Sequence, residues 1–571
     1  MMINEKKKNE HFILFLLILA FLSILMIFCY HPENKLYQIG DDVNFHYRRI
    51  GALIESLSNG TFPVYIDNSA ANGMGYATKW FYSDFLLIPF ALIAKYTSIA
   101  IGYKSLIFVI TFLCGLFTFK LTKRVYNNNF AAYISAIVYT FSYYRLFDLY
   151  NRSALGEAIS FTFLPIVFLG LYEVIKGDYK KWYILTIGFS LLLLSHLLSS
   201  FMTAIFVIIF IIIYYKDFLK NTARIKYLII AGLVTIPIVA YAIFPMFEQM
   251  LSNEFYLNSK MPYNEKLPIT TILKGMAGGF TPNQFEFLPG IGIILTIMVI
   301  SRIFIKKSEN KYLKSADIST IIGLICIILT ASFVPWARFP LSLISTIQFP
   351  WRLLEFSTFL LSVSGGLYLS VLIKKRKYKY IAMGVIISAS LVLITINSYN
   401  YLNSPDLNYE LNQNNTIRNP KPITDNNFHL GNLEYVSHKF PSYPSVRFPN
   451  TEYMYDRSKE IKTEKNSIVE KISEDDGVGV YTYNITIKEK DNIEFPKLYY
   501  KGYSATMNGK NIPVEESNEG LIEISAEESG QLKLWYGGTF IQKISLYITG
   551  ISILALCLFV YLTGKKKKKT E

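Results

Sequence analysis

The sequence predicts a polytopic α-helical membrane protein of about 12 spans with an extracytoplasmic β-rich C-terminal domain. Three observations carry that expectation. Charged residues make up only 17% of the 571 residues, and hydrophobic ones 52%, whereas a soluble chain carries about 25% charged residues. The deficit lies in long uncharged runs, each near the roughly twenty residues that a crossing needs. The basic residues gather in short loops beside those runs. Between the last two runs lies a long polar segment with strand-like alternation. A net charge of +15 placed in this way sets topology and gives no reason to expect a nucleic-acid partner. Cys29, Cys114, Cys326 and Cys557 all lie inside apolar runs, so neither a disulfide framework nor a cysteine metal cluster is expected.

The elements follow in order. Lys6–Lys8 precede the run Phe12–Tyr30, which is too long for a signal peptide and lacks a small-residue cleavage site, so it reads as an uncleaved anchor. Further spans are expected at 104–121, 130–144, 157–175, 182–197, 199–215, 226–247, 288–305, 318–334, 353–373, 379–397 and 541–562. The stretch 81–99 holds Asp84, Pro89 and Lys95 and reads as interfacial or re-entrant. If it does not cross, every short basic loop falls on one side. These loops carry Lys120, Lys123 and Arg124; Lys176, Lys180 and Lys181; Lys216, Lys220, Arg224 and Lys226; Lys306, Lys307, Lys311 and Lys314; Lys374, Lys375, Arg376, Lys377 and Lys379; and the Lys565–Lys569 tail. The positive-inside bias makes that side cytoplasmic, with both termini inside. The expected division is a multispan domain 1–397 with the outer loop 31–103, an outer domain 398–540, and a final span with polylysine tail, 541–571.

Within 398–540, residues 403–450 are rich in Asn and Pro and read as loop. Val478, Val480, Tyr481, Tyr483 and Ile485 nearly alternate. Lys497–Met507, Leu521–Ile524 and Leu532–Tyr536 read as further strands, and Asn508–Gly509 as a two-residue hairpin turn. A small β-sandwich or jelly-roll-like domain is expected. A rigid cap or partner-binding role suits it as well as any chemistry.

Candidate chemistry concentrates on the outer face. Gly40-Asp41-Asp42 precedes an amphipathic helix whose polar side carries His46 and Arg49. Asp41 or Asp42 can serve as general base or metal ligand, or simply cap the helix. The loop 145–156 brings Arg145, Asp148 and Arg152, with Glu157 opening the next helix; Arg152 suits a phosphate, and Glu157 suits the helix dipole. Trp336 with Arg338, and Trp351 with Arg352, flank another outer loop, where a lipid phosphate is the expected partner. His196, at a span end, reads as a helix-end hydrogen bonder. No nucleotide-binding loop, dinucleotide motif, pterin-enzyme metal site or metal-spaced His/Cys cluster is legible. A divalent metal stays open as a cofactor.

These features resemble the GT-C superfamily of polytopic glycosyltransferases. More closely, the chain is similar to bacterial YfhO-type, pyruvoyl-tetrahydropterin-synthase-related membrane proteins. The stretches that carry the likeness are Gly40-Asp41-Asp42, Tyr143-Tyr144-Arg145, Arg152-Ser153-Ala154-Leu155-Gly156-Glu157, Gln348-Phe349-Pro350-Trp351-Arg352, and Tyr499–Tyr503 with Asn508-Gly509. The resemblance implies sugar transfer from a polyprenyl-phosphate-linked donor to a cell-envelope acceptor at the outer face of a bacterial plasma membrane. It implies Asp41 or Asp42 as base, and Arg145, Arg152, Arg338 and Arg352 toward the lipid phosphate. His46, Arg49, Glu157 and His196 would give support, and 81–99 would admit the isoprenoid from the bilayer. Two other classes fit the residues alone: a lipid or polymer transporter, and a non-enzymatic envelope scaffold. Oligomeric state is not legible.

Overall fold

The computed structural model describes residues 2–32, 36, 40–256, 265–280, 288–306, 310–403, 433–444, 448–475 and 478–570. Most of the expected loop 403–450 lies outside these residues. Among the described residues, eighteen α-helices precede the polar segment: α1 Met2–Tyr30, α2 Val43–Asn59, α3 Thr78–Phe81, α4 Ile88–Tyr96, α5 Ile99–Tyr126, α6 Asn129–Thr140, α7 Tyr143–Leu146, α8 Leu155–Ile175, α9 Tyr183–Leu193, α10 Leu197–Ile213, α11 Tyr215–Lys220, α12 Ala223–Ile238, α13 Ala240–Ser252, α14 Ile269–Ala277, α15 Gly292–Ile300, α16 Leu313–Leu329, α17 Leu353–Leu372 and α18 Arg376–Leu402. Helices Thr451–Arg457 and Phe540–Thr570 follow.

Six helical segments are long and apolar enough to cross a membrane: Asn9–Tyr30, Ile99–Tyr126, Leu155–Ile175, Pro350–Leu372, Arg376–Leu402 and Phe540–Lys565. A seventh is added if the bent pair α12–α13 is one span. Among the described residues, long helices therefore do not reach the expected count of about twelve. The shortfall has local causes. The run 130–144 becomes the 12-residue α6, because the chain turns after Thr140. The run 182–197 becomes the 11-residue α9, because His196 starts a new helix by accepting from Ser199 N–H. The run 288–305 is a nine-residue α15 followed by a 3₁₀ turn. Residues 81–99, not among the expected spans, form a 3₁₀ turn at Phe85–Leu87 and the nine-residue α4, too short for a crossing.

The chain divides into two compact units, neither of them a continuous stretch. One holds residues 1–43, 103–235 and 261–418, and the other 44–102, 236–260 and 419–571. In the first, α17 is buried along nearly its whole length. Small residues let its neighbours approach. A Cβ on Gly366 would stand 2.1 Å from Ser135 Oγ on α6, and Ser135 Oγ donates to Ser362 O at 2.9 Å. Arg124 joins α5 to α8 through Glu173, with contacts of 2.5 and 3.0 Å.

In the second unit, segments of 44–102 and the C-terminal β domain share a core. Phe81 stacks on Tyr435 at 4.2 Å, Trp80 meets Tyr500 edge-on at 5.6 Å, and Leu498 N–H donates to Met74 O at 2.8 Å. The domain holds β1 Lys462–Thr463, β2 Ile468–Asp475, β3 Val480–Thr486, β4 Asp491–Leu498, β5 Tyr503–Met507, β6 Lys510–Ile512, β7 Glu515–Glu516, β8 Leu521–Ala526 and β9 Gly530–Tyr536. They form a four-stranded sheet, β1-β4-β8-β7, and a five-stranded sheet, β2-β3-β9-β5-β6, with antiparallel pairing throughout. Tyr483 and Leu532 from one sheet and Phe495 and Ile522 from the other share one core, as in a sandwich. Asn508 (φ 51°) and Gly509 (φ 82°) make the expected turn between β5 and β6, with the double positive φ of a type I′ hairpin. The expected strand 497–507 is split, because the chain turns through Gly502 at φ 124°.

Candidate active site

Gly40-Asp41-Asp42 rests directly on the loop 145–156. Gly40 has φ +115°, and a Cβ there would lie 2.5 Å from Ser153 Oγ and 3.0 Å from the Arg152 carbonyl carbon. Only glycine permits both that backbone angle and that approach. The next contact fixes the register: Asp42 N–H donates to Arg152 O at 3.1 Å. The loop it meets is itself unusual. Phe147–Asn151 forms a π-helical turn, a rare conformation that recurs at functional sites. Ser153 adopts φ +55°, and Gln348, in the other arginine-bearing stretch, φ +63°. Left-handed backbone at non-glycine residues costs about 1 kcal/mol or more, and persists where surrounding contacts enforce it.

Those contacts centre on Glu157. Its Oε2 accepts from Arg152 Nη1 at 3.0 Å and lies 3.3 Å from Arg352 Nε. Its Oε1 accepts from Tyr144 OH at 2.9 Å. Arg152 also pairs with Asp148 Oδ1, and its guanidinium carbon lies 4.3 Å from the centre of the Trp351 ring. Trp351 stacks on Phe349 at 5.0 Å, and Arg352 donates to Gln348 Oε1 at 2.6 Å. The two stretches RSALGE and QFPWR are thus one cluster. Deeper in α17, Glu355 accepts from Ser199 Oγ at 2.9 Å and from Ser160 Oγ, and His196 Nδ1 lies 2.9 Å from Ser199 Oγ.

The electrostatics follow from burial. Asp42 is half-buried. Burial pushes its carboxyl above the usual 3.8, while Arg152 and Arg352 pull the other way, and Asp41 and Glu157 add to the rise. Asp41 is the more exposed of the pair; partial burial raises it and Arg152 opposes. Burial pushes Asp148 well up, and the neighbouring Glu157 carboxylate reinforces this. Arg152 Nε and Asp148 Oδ2 are buried and have no hydrogen-bond partner among the described residues.

Arg145 was expected to face a lipid phosphate. Instead it is fully buried and caps α6, donating to Thr140 O at 2.9 Å and Thr111 Oγ1 at 3.1 Å; a cation suits a helix C-terminus. Arg338 is exposed and forms no ion pair among the described residues. His46 and Arg49 belong to the second unit, and Arg49 is spent there on Asp84, at 2.6 Å, and on the Ser83 carbonyl, at 2.9 Å. His46 Nδ1 lies 3.1 Å from Arg49 Nη1. Glu355, Ser160 and Ser199 were not anticipated. Glu355 carried a signal, being a lone carboxylate inside an apolar span. Among the described residues, no group of three or more His, Cys, Asp or Glu is placed to hold a metal ion.

The family described as bacterial membrane protein YfhO matches residues 68–417, more than half of the chain. No curated protein matches. Solved structures similar to this chain include two transferases. The arabinofuranosyltransferase AftD from Mycobacteria is 11% identical with a TM-score of 0.42, over 68% of this chain and 27% of that one. The Archaeoglobus fulgidus oligosaccharyltransferase, tethered to an acceptor peptide, is 13% identical with a TM-score of 0.35, over 77% of this chain and 60% of that one. The chain therefore spans about a quarter of the length of the first and three-fifths of the second.

Proposed function

This chain belongs to the YfhO family of bacterial membrane proteins, and from that premise we propose that it is a GT-C-type membrane glycosyltransferase. It would move a sugar from a polyprenyl-phosphate-linked donor to a cell-envelope acceptor on the outer face of the plasma membrane. One observation carries the reading. Three stretches far apart in sequence, 40–42, 145–157 and 348–355, come together: Asp42 N–H bonds the Arg152 carbonyl, and Glu157 holds Arg152 and Arg352.

In the proposed reaction, Asp42 accepts the proton of an acceptor hydroxyl. The freed oxygen pair forms the bond to the sugar's anomeric carbon. The carbon–oxygen bond to the donor phosphate breaks, and its electron pair leaves with polyprenyl phosphate, which gains one negative charge. Arg152 and Arg352 face that developing charge, where preorganised cations act most strongly. Glu157 and Trp351 hold the two guanidinium groups in place. Asp42 is preferred over Asp41 because its backbone is tied to Arg152 and its carboxyl senses both arginines. A carboxylate whose pKa is raised is the better base near neutral pH.

The test is transfer from a polyprenyl-phosphate sugar in membranes that carry equal amounts of wild type, Asp41→Asn and Asp42→Asn. Asp42→Asn should lose at least about a hundredfold, as removal of a general base does. Full activity in both single variants and in the double variant rejects the reading. The acid limb of the wild-type rate should lie above the ordinary aspartate value of 3.8, because the base must be deprotonated and its pKa is raised.

A further inference from the structure

The first unit holds a second site that the proposed reaction does not use. A cavity of about 590 Å³ opens between α5, α8, α10, α16 and α17. That volume falls in the roughly 300–1,000 Å³ range of small-molecule sites. Ile175 lines it, and lies 175 − 157 = 18 residues along α8 from Glu157. At 1.5 Å per residue the separation is about 27 Å, close to the hydrocarbon thickness of a bilayer. The cavity and the acid–arginine cluster thus lie toward opposite ends of α8.

Its lining has two parts. Phe168, Phe210, Phe359 and Leu360 make an apolar wall. Lys176, Lys216, Lys311 and Lys314 also line it and are exposed, against one lining acid, Asp217. None of the four lysines forms an ion pair among the described residues. Lys176 Nζ instead sits 4.1 Å from the centre of the Tyr214 ring. An apolar cavity edged by unneutralised cations and tyrosine rings complements an amphiphile with an anionic head. Basic loops gather at this end of the helices, and the positive-inside bias assigns such an end to the cytoplasm, where the leaflet is rich in anionic lipid.

We propose that this cavity binds an anionic phospholipid. An acyl chain lies against Phe168, Phe210, Phe359 and Leu360, and the phosphate sits among Lys176, Lys216, Lys311 and Lys314. The site rests on cavity shape and charge, and is independent of the transfer reaction.

The experiment uses the full chain, taken into nanodiscs of mixed phosphatidylglycerol and phosphatidylcholine, with retained lipid read by native mass spectrometry. Wild type should retain phosphatidylglycerol preferentially. Each lysine beside an anionic headgroup contributes on the order of fivefold, so changing all four lysines to Gln should cut the preference by about tenfold or more. Ser319→Trp, which fills the cavity and keeps every charge, should abolish retention. If the lysine variant fails to fold, Ser319→Trp decides alone. An unchanged lipid ratio in a folded Ser319→Trp protein overturns the proposal, as does equal retention of the two lipids by wild type.

Discussion

Glu157 is the residue on which the site depends. It neutralises Arg152 and Arg352 together and accepts from Tyr144. Glu157→Gln leaves two buried guanidinium groups short of a counter-charge, and breaking a buried pair on one side costs about 3–5 kcal/mol. A lowered unfolding temperature in detergent, with loss of transfer, is the expected outcome. Gly40→Ala tests the seat of the acid pair. Its Cβ would strike Ser153, so Asp41 and Asp42 move away from Arg152; displacement by about 1 Å at a reacting centre costs roughly a hundredfold in rate. Transfer should fall that far in membranes that still contain the full-length protein. Residue type singled out the acid pair and Arg152 in the sequence, and the fold brings their two segments into contact. The direction of Arg145 was not legible, because a sequence gives a residue's place in a loop and not its direction, and the short turn α7 aims it at the end of α6.

At the scale of elements, the β domain was the more readable half. Alternation marks β3, and Asn508-Gly509 requires the φ > 0 pair that the turn shows. The helical half was less so. Apolar runs report that a segment is buried or lipid-facing, but not where it breaks, so the run 226–247 conceals the break at Val239 and 182–197 conceals the start of α10 at His196. Asp491, at the start of β4, supplies a pH test. It accepts from the backbone N–H groups of Glu464 and Lys465 at 3.0 and 2.9 Å. Despite some burial, the Ser467 hydroxyl and these N–H groups hold its carboxyl below the usual 3.8. A depressed carboxylate contributes stability above its unfolded value, and that stability is lost as pH falls through the folded value. The thermal stability of the full chain should therefore fall between about pH 4 and pH 2. Asp491→Asn should remove that dependence and cost about 1–3 kcal/mol at neutral pH.

Across the whole molecule, the chain is a bacterial membrane protein of the YfhO family whose long apolar helices accompany a two-sheet β domain. The family match begins at residue 68, after the acid pair, so the reading of Asp41 and Asp42 rests on their contacts with the Arg152 loop. Substitution of the acid pair separates a transferase from a scaffold. A scaffold needs the β domain and tolerates Asn at both acids, whereas a transferase does not. The most direct measurement compares envelope glycans from cells with the wild-type gene, with no gene, and with the Asp41→Asn/Asp42→Asn variant at wild-type membrane levels. A sugar modification that disappears in the deletion and in the double variant alike is the predicted result. A double variant whose envelope glycans match wild type would contradict the account.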